Sequence, residues 1–407
     1  YQPVHVALVE VDEHSLAKHE DPLAFWAPLH ARVLANLREA GAIVIGVDFL
    51  FSITPETWLQ KYQLSSSDGL KNYDLPFRQE LNAGKTVLVG AISRGNAGGN
   101  DGFLLPHTEY LLSLPNADLE SGIGLADLVI DSDGSIRRYA ITPKLKLDEA
   151  TARGAPRLTL GALLAVRATG LSAAAAQWSI GGLAYHADAV HNISYAGPPG
   201  TIPRVSFHKL LDNDALNNPE VKSLRGKVII VGANFEGMND VHDTPYSNGF
   251  HARSKSFMSG PEIQANIVET LLSGRATGPA PDVLRWLLTA VVLLAAIVVG
   301  LRTPPWIGLA AFTGGSLIAL ITGYVAFRQF MLFPAAHLHL GLFAGFFMVL
   351  GSRLTREERD KARIRNIFEG YVSDDVVNML LTSGQRLDMG GQSMNISVLF
   401  SDIRNFT

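Results

Sequence analysis

Three long apolar stretches, residues 286–301, 306–327 and 330–352, run without a single Asp, Glu, Lys or Arg. Each approaches the ~20 residues that a helix needs to cross a bilayer, once the first is extended back to Val283 with Arg285 reaching outward. Membrane helices are therefore predicted at 283–301, 306–327 and 330–352, with Arg302-Thr303-Pro304-Pro305 and Arg328-Gln329 punctuating the gaps. Ahead of them the pattern changes to short apolar runs alternating with amphipathic segments. Residues 4–11 and 42–50 predict strands, and 28–40 a helix between them, with Pro28 in its first turn and Gly41 just past its end. Further buried strands are predicted at 86–92 and 228–233, and helices at 157–169 and 261–272. This order predicts an α/β domain over residues 1–279, with a mostly parallel sheet covered by helices.

Charge sets the orientation. Arg353, Arg356, Arg359, Lys361, Arg363 and Arg365 follow the third stretch, and such a basic cluster marks the cytoplasmic side. Three spans reverse the side of the membrane, so residues 1–279 are expected to be extracytoplasmic, facing an unknown signal. Reaching that side requires export, and a further transmembrane or signal helix is expected upstream of Tyr1, which is not an initiator Met. The net charge of -4 gives no support to a nucleic-acid surface. Without cysteine there is no disulfide framework and no Cys-ligated metal centre.

Candidate chemistry is sparse in the exterior region. Asp12, Asp48 and Glu236 are expected near the carboxyl ends of parallel strands, where α/β sheets bind ligands; they could serve a polar ligand or cation, or cap helices and satisfy loop amides. Asp131-Ser132-Asp133-Gly134 resembles half a calcium loop but lacks the remaining acidic positions, which favours a turn into a strand. His337 and His339, in the third span, point about 200° apart on a helix and share no ligand face. Nucleotide-binding glycine patterns are incomplete. Beyond the membrane, residues 353–385 form a linker in which Leu354, Ile364, Ile367, Phe368 and Tyr371 fall mainly at helical spacing, predicting a signalling helix. It either pairs with its twin or packs on its own domain. Ser373, Asp374 and Asp375 read as the start of a short helix over 376–381. A strand over 395–401 then delivers Asp402.

Five blocks carry a resemblance over residues 1–279: Ala7-Leu8-Val9-Glu10-Val11-Asp12; Gly41-Ala42-Ile43-Val44-Ile45-Gly46-Val47-Asp48-Phe49-Leu50-Phe51; Asp131-Ser132-Asp133-Gly134-Ser135-Ile136-Arg137-Arg138; Arg225-Gly226-Lys227-Val228-Ile229-Ile230-Val231-Gly232-Ala233; and Gly260-Pro261-Glu262-Ile263-Gln264-Ala265-Asn266. In this order they resemble the type-two CHASE domain, an extracellular sensory module of bacterial receptors. The resemblance implies three membrane helices followed by a cytoplasmic output domain, the layout that hydropathy and charge predict.

At the other end, Phe368-Glu369-Gly370-Tyr371-Val372-Ser373, the Gly390-Gly391 turn and Val398-Leu399-Phe400-Ser401-Asp402-Ile403-Arg404-Asn405-Phe406-Thr407 resemble the entrance of a class III nucleotide cyclase. The resemblance implies that residues 386–407 begin a ferredoxin-like α+β catalytic domain and contain its first strand. It implies a bacterial inner-membrane receptor that converts ATP to 3′,5′-cyclic AMP and pyrophosphate as a homodimer joined through linker and catalytic domain. Such chemistry uses two hard cations, Mg²⁺ or Mn²⁺. By resemblance Asp402 binds both through its carboxylate and Ile403 one through its backbone carbonyl, while Arg404, Asn405, Phe406 and Thr407 complete the metal and nucleotide-phosphate loop with main-chain amides. The second metal-binding Asp, the base-reading Lys and Asp, and the transition-state Asn and Arg are expected beyond Thr407, so the 407-residue chain by itself is expected to be inactive. A guanylate cyclase, or a degenerate cyclase-like module, is the alternative output.

Overall fold

The computed structural model describes residues 1–55, 72–95, 99–152, 154–247, 256–368 and 397–400. They form two units, residues 1–280 with 325–332, and residues 281–324 with the rest of the chain.

The first unit is built on one sheet. Its strands are β1 (Val6–Val11), β2 (Val44–Val47), β3 (Thr86–Ser93), β4 (Gly102–Leu104), β5 (Ile123–Leu125), β6 (Arg204–Ser206) and β7 (Val228–Ala233). They lie in the order β6-β1-β7-β2-β3-β4, with β5 also on β3. Every pairing is parallel except β3 with β4. Helices α1 (Glu13–Lys18), α2 (Ala27–Ala40), α3 (Leu75–Asn82), α4 (Leu160–Ala168) and α5 (Gly260–Leu272) accompany it. Alternation along β1 explains the layering: Ala7, Val9 and Val11 enter the core shared with Leu34 and Leu37 of α2 and Phe77 of α3, whereas Val6 and Leu8 enter the core shared with Leu164 of α4 and Ile267 of α5. Both faces are covered, so β2 and β7 read as continuous apolar runs rather than alternating ones, and β1 is interrupted only by Glu10.

The expected strand–helix–strand unit, the strands near 86–92 and 228–233, and the helices near 157–169 and 261–272 are all present: the strands over 4–11 and 42–50 and the helix over 157–169 are shorter than predicted, and the others match to within a residue. A three-stranded antiparallel sheet, Val129–Ile130, Ile136–Ala140 and Val190–Asn192, stands apart from the main one.

Helix α5 carries five buried polar side chains, and each has a partner. Glu262 accepts from the Gly200 amide at 2.8 Å, Gln264 from Gly161 at 3.0 Å, Asn266 from Ala196 at 2.9 Å, and Glu269 from the His5 amide at 3.0 Å, while the Thr270 hydroxyl accepts from Ser194. These bonds fix α5 in rotation and along its axis, because an unmet buried polar group would cost ~1–3 kcal/mol. The helix begins hard against β7: a Cβ at Gly232 would stand 2.3 Å from the Pro261 ring.

Among the described residues, α6 (Asp282–Arg302), α7 (Pro305–Arg328) and α8 (Ala335–Phe368) are the three helices long and apolar enough to cross a membrane. Two match the predicted spans closely. The third departs at both ends: it starts at Ala335, because Phe330 adopts a left-handed φ of 61° and Met331–Leu332 pair with Gly278–Pro279, and it continues through the basic cluster to Phe368. The third apolar stretch and the first part of the segment predicted as a signalling helix, residues 353–368, are thus one helix, and Tyr371 lies outside the described residues. Arg353 of α8 donates to the carbonyls of Gly300, Leu301 and Thr303 at 2.6, 3.1 and 2.7 Å, satisfying acceptors that the end of α6 leaves open.

Gly232→Ala should force Pro261 and the start of α5 away from β7. A loss of about 1–3 kcal/mol is expected, read as an earlier denaturant midpoint of the sensor unit; an unchanged midpoint would show that the contact is not tight.

Candidate functional site

The carboxyl ends of the parallel strands gather several acids, and the structure gives them different fates. Asp12 follows β1 and caps α1: its Oδ1 accepts from the Ser15 amide at 2.9 Å and the Ser15 hydroxyl at 2.7 Å. Burial alone would raise this carboxyl, but Ser206 and Ser15 outweigh it and hold it below the usual aspartate range. Asp12 is therefore a helix cap. Glu236 is exposed, and its contact with the fold is a backbone N–H donated to Glu13 at 2.9 Å.

Asp131 and Asp133 are drawn into arginine pairs. Arg137 Nη1 reaches Asp131 at 3.2 Å, its Nη2 reaches Asp133 at 2.8 Å, and Arg138 Nε reaches Asp131 at 2.8 Å, around a turn closed by Gly134 at φ 81°. The turn reading of this run holds. His337 meets Trp286 edge-on, and His339 Nδ1 lies 2.7 Å from the Ala335 carbonyl, so both are accounted for by packing within the helices.

Asp48 differs from all of these. It follows β2, where its amide still donates to the Val231 carbonyl at 2.8 Å, and its carboxylate faces a cavity of about 290 Å³. Asp127, Asp240, His242 and Gln264 line the same cavity. Asp127 comes from the loop after β5, and its Oδ2 accepts from the Ile92 amide at 2.9 Å. Asp240 comes from the loop after β7; its Oδ1 sits 2.8 Å from His242 Nε2, and its carbonyl accepts from the Gly260 amide at 3.0 Å. Gln264 is held by Gly161 and by its own donation to the Ala126 carbonyl at 3.2 Å. His242 lies on β8 (Val241–His242), which pairs with β9 (Met258–Ser259) directly before α5.

Among the described residues Asp48 receives no side-chain hydrogen bond. Burial pushes its carboxyl up to about 7, the nearby Asp240 charge adds to the rise, and His242 opposes it. Asp127 is also raised, by burial first, against the Ile92 amide and the Arg94 charge. Among the described residues that line the crevice, His242 is the basic side chain.

A second charged group lies buried along the same sheet. Arg204 of β6 reaches Glu10 of β1 at 2.8 Å and Glu262 of α5 at 2.9 Å, one cation between two carboxylates. Burial raises Glu10 despite that arginine. This group ties strand to strand to helix.

Of the sequence candidates, Asp48 alone reaches the cavity; Asp12 and Glu236 do not line it. The sequence reading missed Asp127, Asp240 and His242. Asp240 and His242 are two apart on an extended segment, a spacing that puts side chains on one face, and that was the available signal. Asp402, Ile403, Arg404, Asn405, Phe406 and Thr407 lie outside the described residues, as do the short helix over 376–381 and the Gly390-Gly391 turn. Of the strand expected over 395–401, residues 397–400 are described, without regular secondary structure.

The raised Asp48 carboxyl has a stability consequence. The folded protein keeps this proton up to about pH 7, whereas an unfolded aspartate loses it near ~3.9. Between those values the folded state binds more protons, so stability falls as pH rises and levels off above 7. Asp48→Asn removes that loss. The variant should melt close to the parent near pH 4 and higher than it at pH 8, by up to a few kcal/mol; a gain independent of pH would contradict the raised carboxyl.

The family model described as CHASE2 domain matches residues 1–302. The chain matches no curated protein and no solved structure. A CHASE2 domain is an extracellular sensor, and with three membrane-crossing helices in the same chain it makes this protein a membrane-inserted signalling receptor. By that match, the chain belongs to the CHASE2 domain family.

Proposed function

We propose that this receptor is a bacterial inner-membrane adenylate cyclase, converting ATP to 3′,5′-cyclic AMP and pyrophosphate under the control of its exterior CHASE2 sensor. The observation that carries the reading is the sequence Phe400-Ser401-Asp402-Ile403-Arg404-Asn405-Phe406-Thr407, which follows the third apolar stretch and its basic cluster, the end that the positive-inside rule assigns to the cytoplasm. Support comes from α8, which runs without interruption from the apolar span through Arg353 and Arg365 to Phe368. An unbroken helix is a stiff connection, suited to carrying a displacement from membrane to output domain. Two such chains, paired through this helix and the catalytic domain, would form the enzyme.

The donors suit the cations. Asp402 offers a carboxylate and Ile403 a carbonyl, both hard oxygen ligands of the kind Mg²⁺ and Mn²⁺ take. When bound, the two ions lower the proton affinity of the ribose 3′-hydroxyl and neutralise the triphosphate. Asp402 would hold the ions through its carboxylate, and the amides from Arg404 to Thr407 would receive the phosphate oxygens.

The full-length protein with its natural C-terminus, supplied with ATP or GTP and Mg²⁺ or Mn²⁺, should form cyclic AMP. Asp402→Ala should remove at least ~10²-fold of the rate, since it deletes a shared metal ligand. Full activity in that variant would refute the metal assignment, cyclic GMP from GTP would move the reading to a guanylate cyclase, and no product from either nucleotide would leave a receptor with a non-enzymatic output.

A further inference from the structure

The connection between α7 and α8 departs from a simple turn. Helix α7 ends at Arg328, and the Gln329 and Phe330 amides close back on the carbonyls of Ala326 and Phe327 at 2.9 and 3.0 Å. Phe330 then takes its left-handed φ of 61°, the position just past a helix end that normally falls to glycine because a Cβ is crowded there. A bulky side chain in that conformation persists only where its surroundings hold it.

The holding contacts come from the end of the sensor. The Phe330 and Leu332 carbonyls accept from the Gly278 and Ala280 amides at 3.0 and 3.1 Å, in a parallel pairing of Gly278–Pro279 with Met331–Leu332. The Arg275 guanidinium lies over the Phe330 ring, 5.0 Å from its centre, and over the Tyr1 ring at 3.6 Å. Residues 325–332 belong to the same compact unit as residues 1–280. Membrane topology agrees: α6 and α7 cross twice between Ala280 and Gln329, so both segments return to one side.

Residues 275–277 are in turn fastened to the sensor core. The Arg275 amide donates to the Thr270 carbonyl of α5 at 3.2 Å, and the Arg275 carbonyl accepts from the Ser194 hydroxyl. Asn192 donates to the Thr277 carbonyl at 2.8 Å, and the Thr270 hydroxyl accepts from the Ser194 amide at 3.0 Å. These bonds connect the last turn of α5 to Arg275 and, through its guanidinium, to Phe330, shortly before α8 begins at Ala335. Arg275 Nη1 is buried and has no hydrogen-bond partner among the described residues, so that nitrogen is held beside the rings without a polar anchor.

We propose that Arg275 and Phe330 form a latch through which the sensor controls the entry of α8. In the closed state Phe330 is left-handed and Met331–Leu332 are paired; in the open state the pairing is lost and Phe330 relaxes to a negative φ. The backbone cost at Phe330 favours opening, whereas the cation–π contact and the two backbone bonds favour closure. Opposed in this way, the two states can be rebalanced by a change at the end of α5. The latch gives the sensor a route to α8 besides its covalent link to α6. It rests on the sensor and the membrane helices and does not depend on the cyclase reading.

The sequence has no cysteine, so engineered cysteines report on single positions in the full chain, held in lipid nanodiscs. Spin labels at Asp188→Cys and Gln329→Cys, both exposed, should give one narrow distance distribution in the parent and a second, broader population in Arg275→Gln. Hydrogen exchange at the Gly278 and Ala280 amides should quicken about fivefold in Arg275→Gln, as expected for loss of a cation–π contact. Phe330→Leu should act in the same direction, and adding it to Arg275→Gln should change little more, since both remove one contact. Arg94→Gln, at an exposed arginine elsewhere in the sensor, should leave the exchange unaltered. A single cysteine at Ser352, next to the basic cluster of α8, should react with a membrane-impermeant maleimide at a rate changed by about twofold or more once the latch is broken. Should Arg275→Gln fail to fold, Phe330→Leu carries the same three measurements. The proposal is overturned if the folded variants keep the parent exchange and distance, if their effects add in full, or if releasing the loop leaves the Ser352→Cys rate unchanged, which would make the contact a clasp without bearing on α8.

Discussion

Strand β7 arrives last in the chain and hydrogen-bonds between two strands already joined to each other through α2. Val228 pairs with Val6 on one side and Val44 on the other, and the ladder continues through Val231 against Val9 and Val47. That insertion determines which loops meet. A strand placed between β1 and β2 must release the following chain above them, and this brings Asp240 and His242 beside Asp48. Its glycine, Gly232, lets Pro261 approach so closely that α5 begins at the crevice. Had β7 paired at an edge, the same acidic residues would have been scattered over solvent, each fully hydrated and without consequence.

Burial then converts position into chemistry. The sheet is covered on both faces, so residues at its carboxyl rim are close to water yet backed by an apolar core. A carboxylate there is costly unless donors or cations meet it. The fold supplies them nearly everywhere along this rim: hydroxyls and an amide for Asp12, an amide for Asp127, a guanidinium shared by Glu10 and Glu262. The same economy runs along α5, whose five buried polar side chains all find partners. Against that regularity, Asp48 receives no side-chain hydrogen bond among the described residues.

Much of the architecture was legible in the sequence because it follows from short-range physics. Residues 28–40 carry a proline at the start and a glycine at the end, and the helix occupies Ala27–Ala40 with Gly41 in the left-handed conformation. The apolar runs of β1, β2, β3 and β7 declare buried strands, and two of the three membrane helices follow directly from length and composition. What the sequence withheld is long-range. Nothing in Val228–Ala233 says which neighbours it takes, because a strand buried on both faces has no alternation from which to read its side. The start of α8 was misjudged for a different reason: Phe330 to Pro334 is as apolar as a membrane span, but Pro334 lacks an N–H and suits a helix start rather than its interior, and the chain turns at Phe330. Asp12 and Asp48 show the limit most clearly. Both are strand-end acids in similar local sequence, yet Ser15 lies three residues after Asp12 at the spacing a cap requires, whereas Asp48 is followed by Phe49-Leu50-Phe51, which offers no side-chain donor.

A polar group that weakens the folded state and remains unpaired is informative because alternatives of the same shape exist. Asparagine at position 48 would fit the same volume without the cost of a buried charge, and the Asp240–His242 pair leaves Asp48 no local compensation beyond a partial one. Local strain or unmet polarity kept at the ligand-binding end of an α/β sheet is where the demands of stability and function diverge. A sensor needs such a divergence: its occupied and empty states must differ in free energy, and a ligand shifts an equilibrium only by its differential affinity for the two states.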